Sequence, residues 1–153
     1  MPIDRDLHIG VVSEPRVVEI ESGFLKFFAK ATGETDPVYF DEDAARAAGF
    51  PGIPAPPTWL FPMSHSAPAK RGDVFDPVNG LGVDMFKVLH GEQSFEHHRP
   101  LYAGDRVTLT TTTRDIYAKK GGALEFIVQD TRAVNAAGQV CVTMTTTTVV
   151  RHG

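Results

Sequence analysis

The chain has 153 residues, of which 42% are hydrophobic and 22% charged, and its formal net charge is -4 at pH 7. That length holds one hydrophobic core without staples, and the composition is ordinary for a soluble globular protein. Lys and Arg are scattered and cluster no more densely than pairs such as Lys70-Arg71, which leaves no electrostatic footprint for nucleic acid.

A single cysteine, Cys141, excludes an internal disulfide framework and suits a reducing compartment. It lies in an alternating apolar-polar run, where a small buried strand residue is expected rather than a nucleophile. The first ten residues, MPIDRDLHIG, lack a basic region followed by an apolar one, so no signal peptide is expected. No apolar run approaches the length of a membrane span. The expectation is a soluble, cytoplasmic protein that contacts neither membrane nor nucleic acid.

In chain order, residues 14–20 (EPRVVEI) read as a short strand. Ile20, Phe24, Phe27, Phe28 and Ala31 then recur at helical spacing, with Gly33 placed to stop the helix. Residues 41–48 predict a second short helix, with acids in its first turn and Gly49 beyond its end. The stretch PGIPAPPTWLFPMSHSA follows. Pro56 and Pro57 suit the entry to a helix, and Thr58, Trp59, Leu60, Phe61 and Met63 continue it as an almost wholly apolar, buried one. Pro62 is expected to bend or interrupt it. Residues 65–82 read as a long loop, of the kind that serves as a lid, makes a partner contact or is simply mobile.

From Val83 the pattern is β. Five runs rich in Val, Ile, Thr and Phe cover 83–90, 93–100, 105–118, 123–134 and 139–150. Lys119-Lys120-Gly121-Gly122 and Asn135-Ala136-Ala137-Gly138 suit tight antiparallel connections. The two Thr runs alternate poorly in hydrophobicity, but Thr is a good strand former at half-buried positions. The expectation is α+β: a five-strand antiparallel meander with helices on one face, within a single domain spanning 1–153.

Two blocks carry a family resemblance. Residues 28–60, FAKATGETDPVYFDEDAARAAGFPGIPAPPTWL, and 90–110, HGEQSFEHHRPLYAGDRVTLT, resemble the MaoC-like hydratase/dehydratase family, especially its N-terminal, degenerate-half type. The resemblance covers nearly the whole chain. It implies the hot-dog fold, a long antiparallel sheet wrapped around a long central helix. It also implies reversible loss of water from a 3-hydroxyacyl thioester of coenzyme A or an acyl carrier protein. No cofactor is expected, and the His residues lack Cys or acidic partners at the spacing that a metal site needs.

That chemistry needs a base for the α-proton, an acid for the leaving hydroxyl and donors for the thioester enolate. Active members of the family supply an Asp and a His five positions apart, and a backbone N–H at a Gly following a His. Here Glu34 stands at the Asp position and Tyr39 at the His position. Tyr, with an ordinary pKa of about 10, is a poor base at neutral pH. The His-Gly position is Pro56-Pro57, and proline has no N–H to donate.

The resemblance therefore implies a substrate-holding subunit, completed by a second hot-dog that carries the Asp/His pair. Two other readings stand beside it. One is a self-sufficient homodimer in which Glu34, Tyr39 or His97 does unusual acid-base work; the other is a non-catalytic acyl-CoA-binding module.

The substrate-binding candidates are Asp36, Ala55, Thr58, Trp59, His90 and Gln93. Glu34 and Asp36 also read as solvated acids in a helix-ending turn, and Trp59 as core. His97 also reads as a satisfied, half-buried histidine. His97 and His98 are neighbours in a strand, so they point to opposite faces and cannot hold one ion together. Gly104-Asp105 reads as a turn entering a strand.

Overall fold

The computed structural model describes residues 3–66, 74–78 and 80–152. A short helix, α1 (Arg5–His8), precedes β1 (Arg16–Glu19), and Asp4 caps it by accepting from the N–H groups of Asp6 and Leu7. α2 (Ser22–Ala31) follows and buries Leu25 and Ala29. It ends at Gly33, whose φ of 81° is open to glycine without strain. The Gly33 and Glu34 N–H groups then donate to the carbonyls of Lys30 and Ala29.

α3 (Glu42–Ala47) is capped by the Asp41 carboxylate, which accepts from the Ala44 N–H at 2.8 Å. The apolar stretch forms α4 (Leu60–Ser64). This helix is five residues rather than long, because Pro54, Pro56 and Pro57 hold the approach in turns and extended chain. Pro62 lies in its first turn, where a missing N–H costs no helical bond, and so does not break it.

The remaining strands are β2 (Val88–His97), β3 (Arg106–Lys119), β4 (Leu124–Asn135) and β5 (Val140–Arg151). The first two expected β runs are one strand. Asp84 caps a tight turn over Met85–Lys87, and β2 then runs through a bulge at Gly91. A Cβ at Gly91 would lie 2.8 Å from the Thr147 carbonyl oxygen, so only glycine allows the two strands this close. The sheet is five-stranded and antiparallel in the order β1-β3-β4-β5-β2. Its fifth strand is therefore β1 rather than a fifth C-terminal run. β3, β4 and β5 form the meander, and β2 crosses to pair with β5 instead of its neighbour in sequence. Both predicted hairpin turns and the Gly104-Asp105 turn are present. The Asp105 carboxylate accepts from the Tyr102 N–H, and Asn135 Oδ1 accepts from the N–H groups of Ala137 and Gln139.

One face of the sheet carries two apolar clusters. The larger joins Leu25, Trp59, Leu60 and Met63 to Val107, Leu109, Val142 and Met144. The smaller joins Val74 and Val83 to Ile116, Ile127 and Val150. Burying side chains of this size stabilises by about 1.5–3 kcal/mol each. Of the expected loop at 65–82, residues 67–73 and 79 lie outside the described residues. Val74 pairs with Val83 through a backbone hydrogen bond and closes the smaller cluster. No helix among the described residues is long and apolar enough to cross a membrane.

Candidate functional site

A cavity of about 260 Å³ opens on the helix-bearing face of the sheet, between the two apolar clusters. Alternation and register decide its floor. On β5, Met144, Thr146 and Thr148 point to this face, and their partners Thr131, Gln129 and Ile127 on β4 point the same way. Thr111 and Thr113 continue these rows on β3, and Phe95, Gln93 and His90 continue them on β2. The walls come from elsewhere. α4 gives Phe61 and Ser64, the segment before β1 gives Ser13 and Glu14, and Phe75 closes one side.

The polar lining is internally bonded. Thr111 and Thr131 share a hydroxyl hydrogen bond of 2.8 Å, and Gln129 Nε2 donates to Thr113 Oγ1 at 3.1 Å. Gln93 Oε1 accepts from the Thr146 hydroxyl at 3.0 Å, while its amide donates to the Thr145 carbonyl. Arg16 also lines the cavity and donates to the Ser64 carbonyl at 2.7 Å, tying β1 to the end of α4. His65 Nδ1 lies 2.9 Å from the Phe61 carbonyl oxygen, and the two rings are 4.9 Å apart.

Of the residues singled out from sequence, His90 lines this cavity and Gln93 braces its floor through Thr146. The others lie elsewhere. Glu34 follows α2, and Asp36 caps the turn Pro37–Tyr39 by accepting from the Val38 N–H. Tyr39 closes that turn. Burial, reinforced by the Glu34 and Asp36 carboxylates, raises its phenol above the ordinary value. Trp59 is 1% exposed and belongs to the core. Thr58 is exposed. Ala55 donates its N–H to the Leu101 carbonyl. His97 is exposed and stacks on Phe95 at 6.2 Å, whereas His98 has left the strand and donates its N–H to the Cys141 carbonyl.

At the entry to α4, Pro54, Pro56 and Pro57 carry no N–H. The Ala55 and Trp59 N–H groups are already bonded, to the carbonyls of Leu101 and Pro56. Among the described residues, no three His, Cys, Asp or Glu side chains converge as metal ligands. Sequence reasoning passed over Arg16, Glu14, His65 and the inward-facing threonines. The one available signal was the pair of Thr runs, and the face each Thr takes depends on register.

The five-stranded sheet with few helices, and this cavity over its inner face, define a MaoC-like hot-dog protein of the dehydratase/hydratase class. The chain belongs to the family described as the FAS1-like dehydratase domain region, whose model matches residues 7–144. It is 38% identical over 128 residues to a UPF0336 protein of Streptomyces griseus, covering 83% of this chain and 81% of that one. Among solved structures, it resembles the HadBC (3R-hydroxyacyl-ACP dehydratase) complex of Mycobacterium tuberculosis with a TM-score of 0.76. The identity there is 22%, over 92% of this chain and 96% of that one. The ChsH1-ChsH2 complex of the same organism is similar at a TM-score of 0.70 and 24% identity, over 92% of this chain and 88% of that one.

Proposed function

We infer that this chain is the substrate-holding subunit of a (3R)-hydroxyacyl-thioester dehydratase, or enoyl-thioester hydratase, acting with a second hot-dog subunit that carries the catalytic Asp and His. The observation that carries this is the entry to α4. Pro57 stands where active members offer a Gly N–H and has none to give, and the nearby Ala55 and Trp59 N–H groups are committed to carbonyls. Tyr39 supports the same reading. A phenol raised above its ordinary value stays protonated at neutral pH, so it is able to donate a hydrogen bond and takes no α-proton.

A cavity lying against the sheet beside α4 is suited to the acyl part of a coenzyme A or acyl-carrier-protein thioester, as expected in fatty-acid metabolism. The outer edge of β2 supports the reading of a docked partner. Among the described residues β2 pairs with β5 alone, and Met85, Phe86 and Leu89 beside its outer edge are 67%, 92% and 48% exposed. An unpaired edge flanked by apolar side chains favours addition of another sheet. The relatives whose structures are described as complexes support a two-chain assembly.

The experiment is an enoyl-CoA hydration assay on the purified chain, alone and after co-purification with its partner. Activity is expected only in the assembly. Full turnover by the homogeneous chain overturns the holding assignment.

A further inference from the structure

The two apolar clusters do not merge, because a hydrogen-bonded polar belt crosses the sheet between them. Thr113, Gln129, Thr146 and Gln93 are direct register partners on four successive strands, β3, β4, β5 and β2. Beside this row lies the Thr111–Thr131 pair. Thr113, Thr131 and Gln129 are 1%, 4% and 8% exposed, so these polar groups are held inside the fold.

An apolar acyl tunnel does not need them. Val or Leu at these positions would fuse the two clusters and exclude water at no hydrogen-bonding cost, whereas buried amides and hydroxyls must each find a partner. The belt keeps the floor of the cavity polar midway between two apolar ends. Hydroxyls are also adaptable, since each can donate or accept by rotating.

Resting on the acyl-holding reading, we propose that the cavity selects acyl groups carrying a hydrogen-bonding oxygen, a hydroxyl or an oxo group, on the chain beyond the thioester segment. Thr111, Thr131 and Thr146 recognise that oxygen. The apolar clusters to either side take the methylenes. An unsubstituted chain of the same length meets satisfied hydroxyls and gains nothing from them, while its own burial strips them of water.

The test measures binding to the full-length chain of two series of thioesters, butanoyl- to decanoyl-CoA and their ω-hydroxy counterparts. At the chain length that reaches the belt, the ω-hydroxy ligand is expected to bind about tenfold tighter than the plain one. A doubly substituted variant, Thr111→Val with Thr131→Val, replaces both partners of one hydrogen bond by isosteric apolar groups, a change that can be nearly neutral for folding. It is expected to bind plain chains at least as tightly as before and to lose most of the ω-hydroxy preference. Equal or weaker binding of the ω-hydroxy ligand at every length overturns the selectivity while leaving acyl holding intact. Binding of neither series overturns acyl holding itself, and the selectivity with it. The wild-type comparison decides the matter even where the variant fails to fold.

Discussion

The imidazole of His90 stands edge-on to the ring of Phe61, with 4.9 Å between centroids and 65° between planes, so β2 and α4 meet where both line the cavity. Edge-to-face pairs of this kind contribute about 0.5–1.5 kcal/mol beyond area burial. His90→Ala is expected to lower stability by about 1 kcal/mol in urea denaturation and to weaken acyl-CoA binding several-fold. Unaltered binding would separate this ring from the site.

Tyr39 gives a pH signature with a defined sign. Its phenol is raised in the folded chain, first by burial and then by Glu34 and Asp36. The folded state therefore holds this proton more tightly than the unfolded one. The resulting stability is fully present below the unfolded value of about 10 and is lost as pH rises through the folded value. Wild type should lose stability faster than Tyr39→Phe on titration above about pH 10, as followed by thermal melting. In the partner assembly, Tyr39→Phe and Glu34→Gln should each retain turnover within about tenfold, less than the 10²–10⁴-fold contribution typical of a positioned acid or base.

Gly91 tests the bulge. Alanine there would set its Cβ 2.9 Å from Val149 Cγ2 and closer still to the Thr147 carbonyl oxygen. Overpacking of this kind costs about 1–3 kcal/mol. Gly91→Ala should lower the urea midpoint accordingly and weaken assembly at the β2 edge, the latter read by analytical ultracentrifugation.

Cys141 is 1% exposed and, chiefly through burial, its thiol lies above the ordinary range. Because the thiolate is the reactive form, alkylation by iodoacetamide at mildly alkaline pH should be slow in the folded chain and fast in urea. Rapid labelling of the native protein would contradict the buried strand placement.

Much of this was legible in the sequence. Gly33 and Asp41 mark helix boundaries through local chemistry, and Asn135 marks a hairpin in the same way, so α2, α3 and the β4–β5 turn follow from nearest neighbours. The pairing of β2 with β5 is not local. Nothing near His90 states that its partner is Thr148, and the run 93–100 joins 83–90 only because Gly91 tolerates a close carbonyl. The cavity was illegible for the same reason. Arg16, Phe61 and Thr131 lie far apart in the chain and meet only when the sheet is assembled. The Thr runs were visible, but not that alternate members form a belt across the inner face.

The strand order also sets a schedule for folding. β3, β4 and β5 are joined by tight turns and can zip together as soon as they exist. β1 must wait for a partner some ninety residues downstream, with Arg16 opposite Leu109, and β2 must wait for the last strand, with Val88 opposite Val150. Closing such long loops is slow. A chain emerging from the ribosome can pair β1 once β3 exists, but carries β2 unpaired until β5 is made. The β2 edge is thus among the last parts of the sheet to take shape.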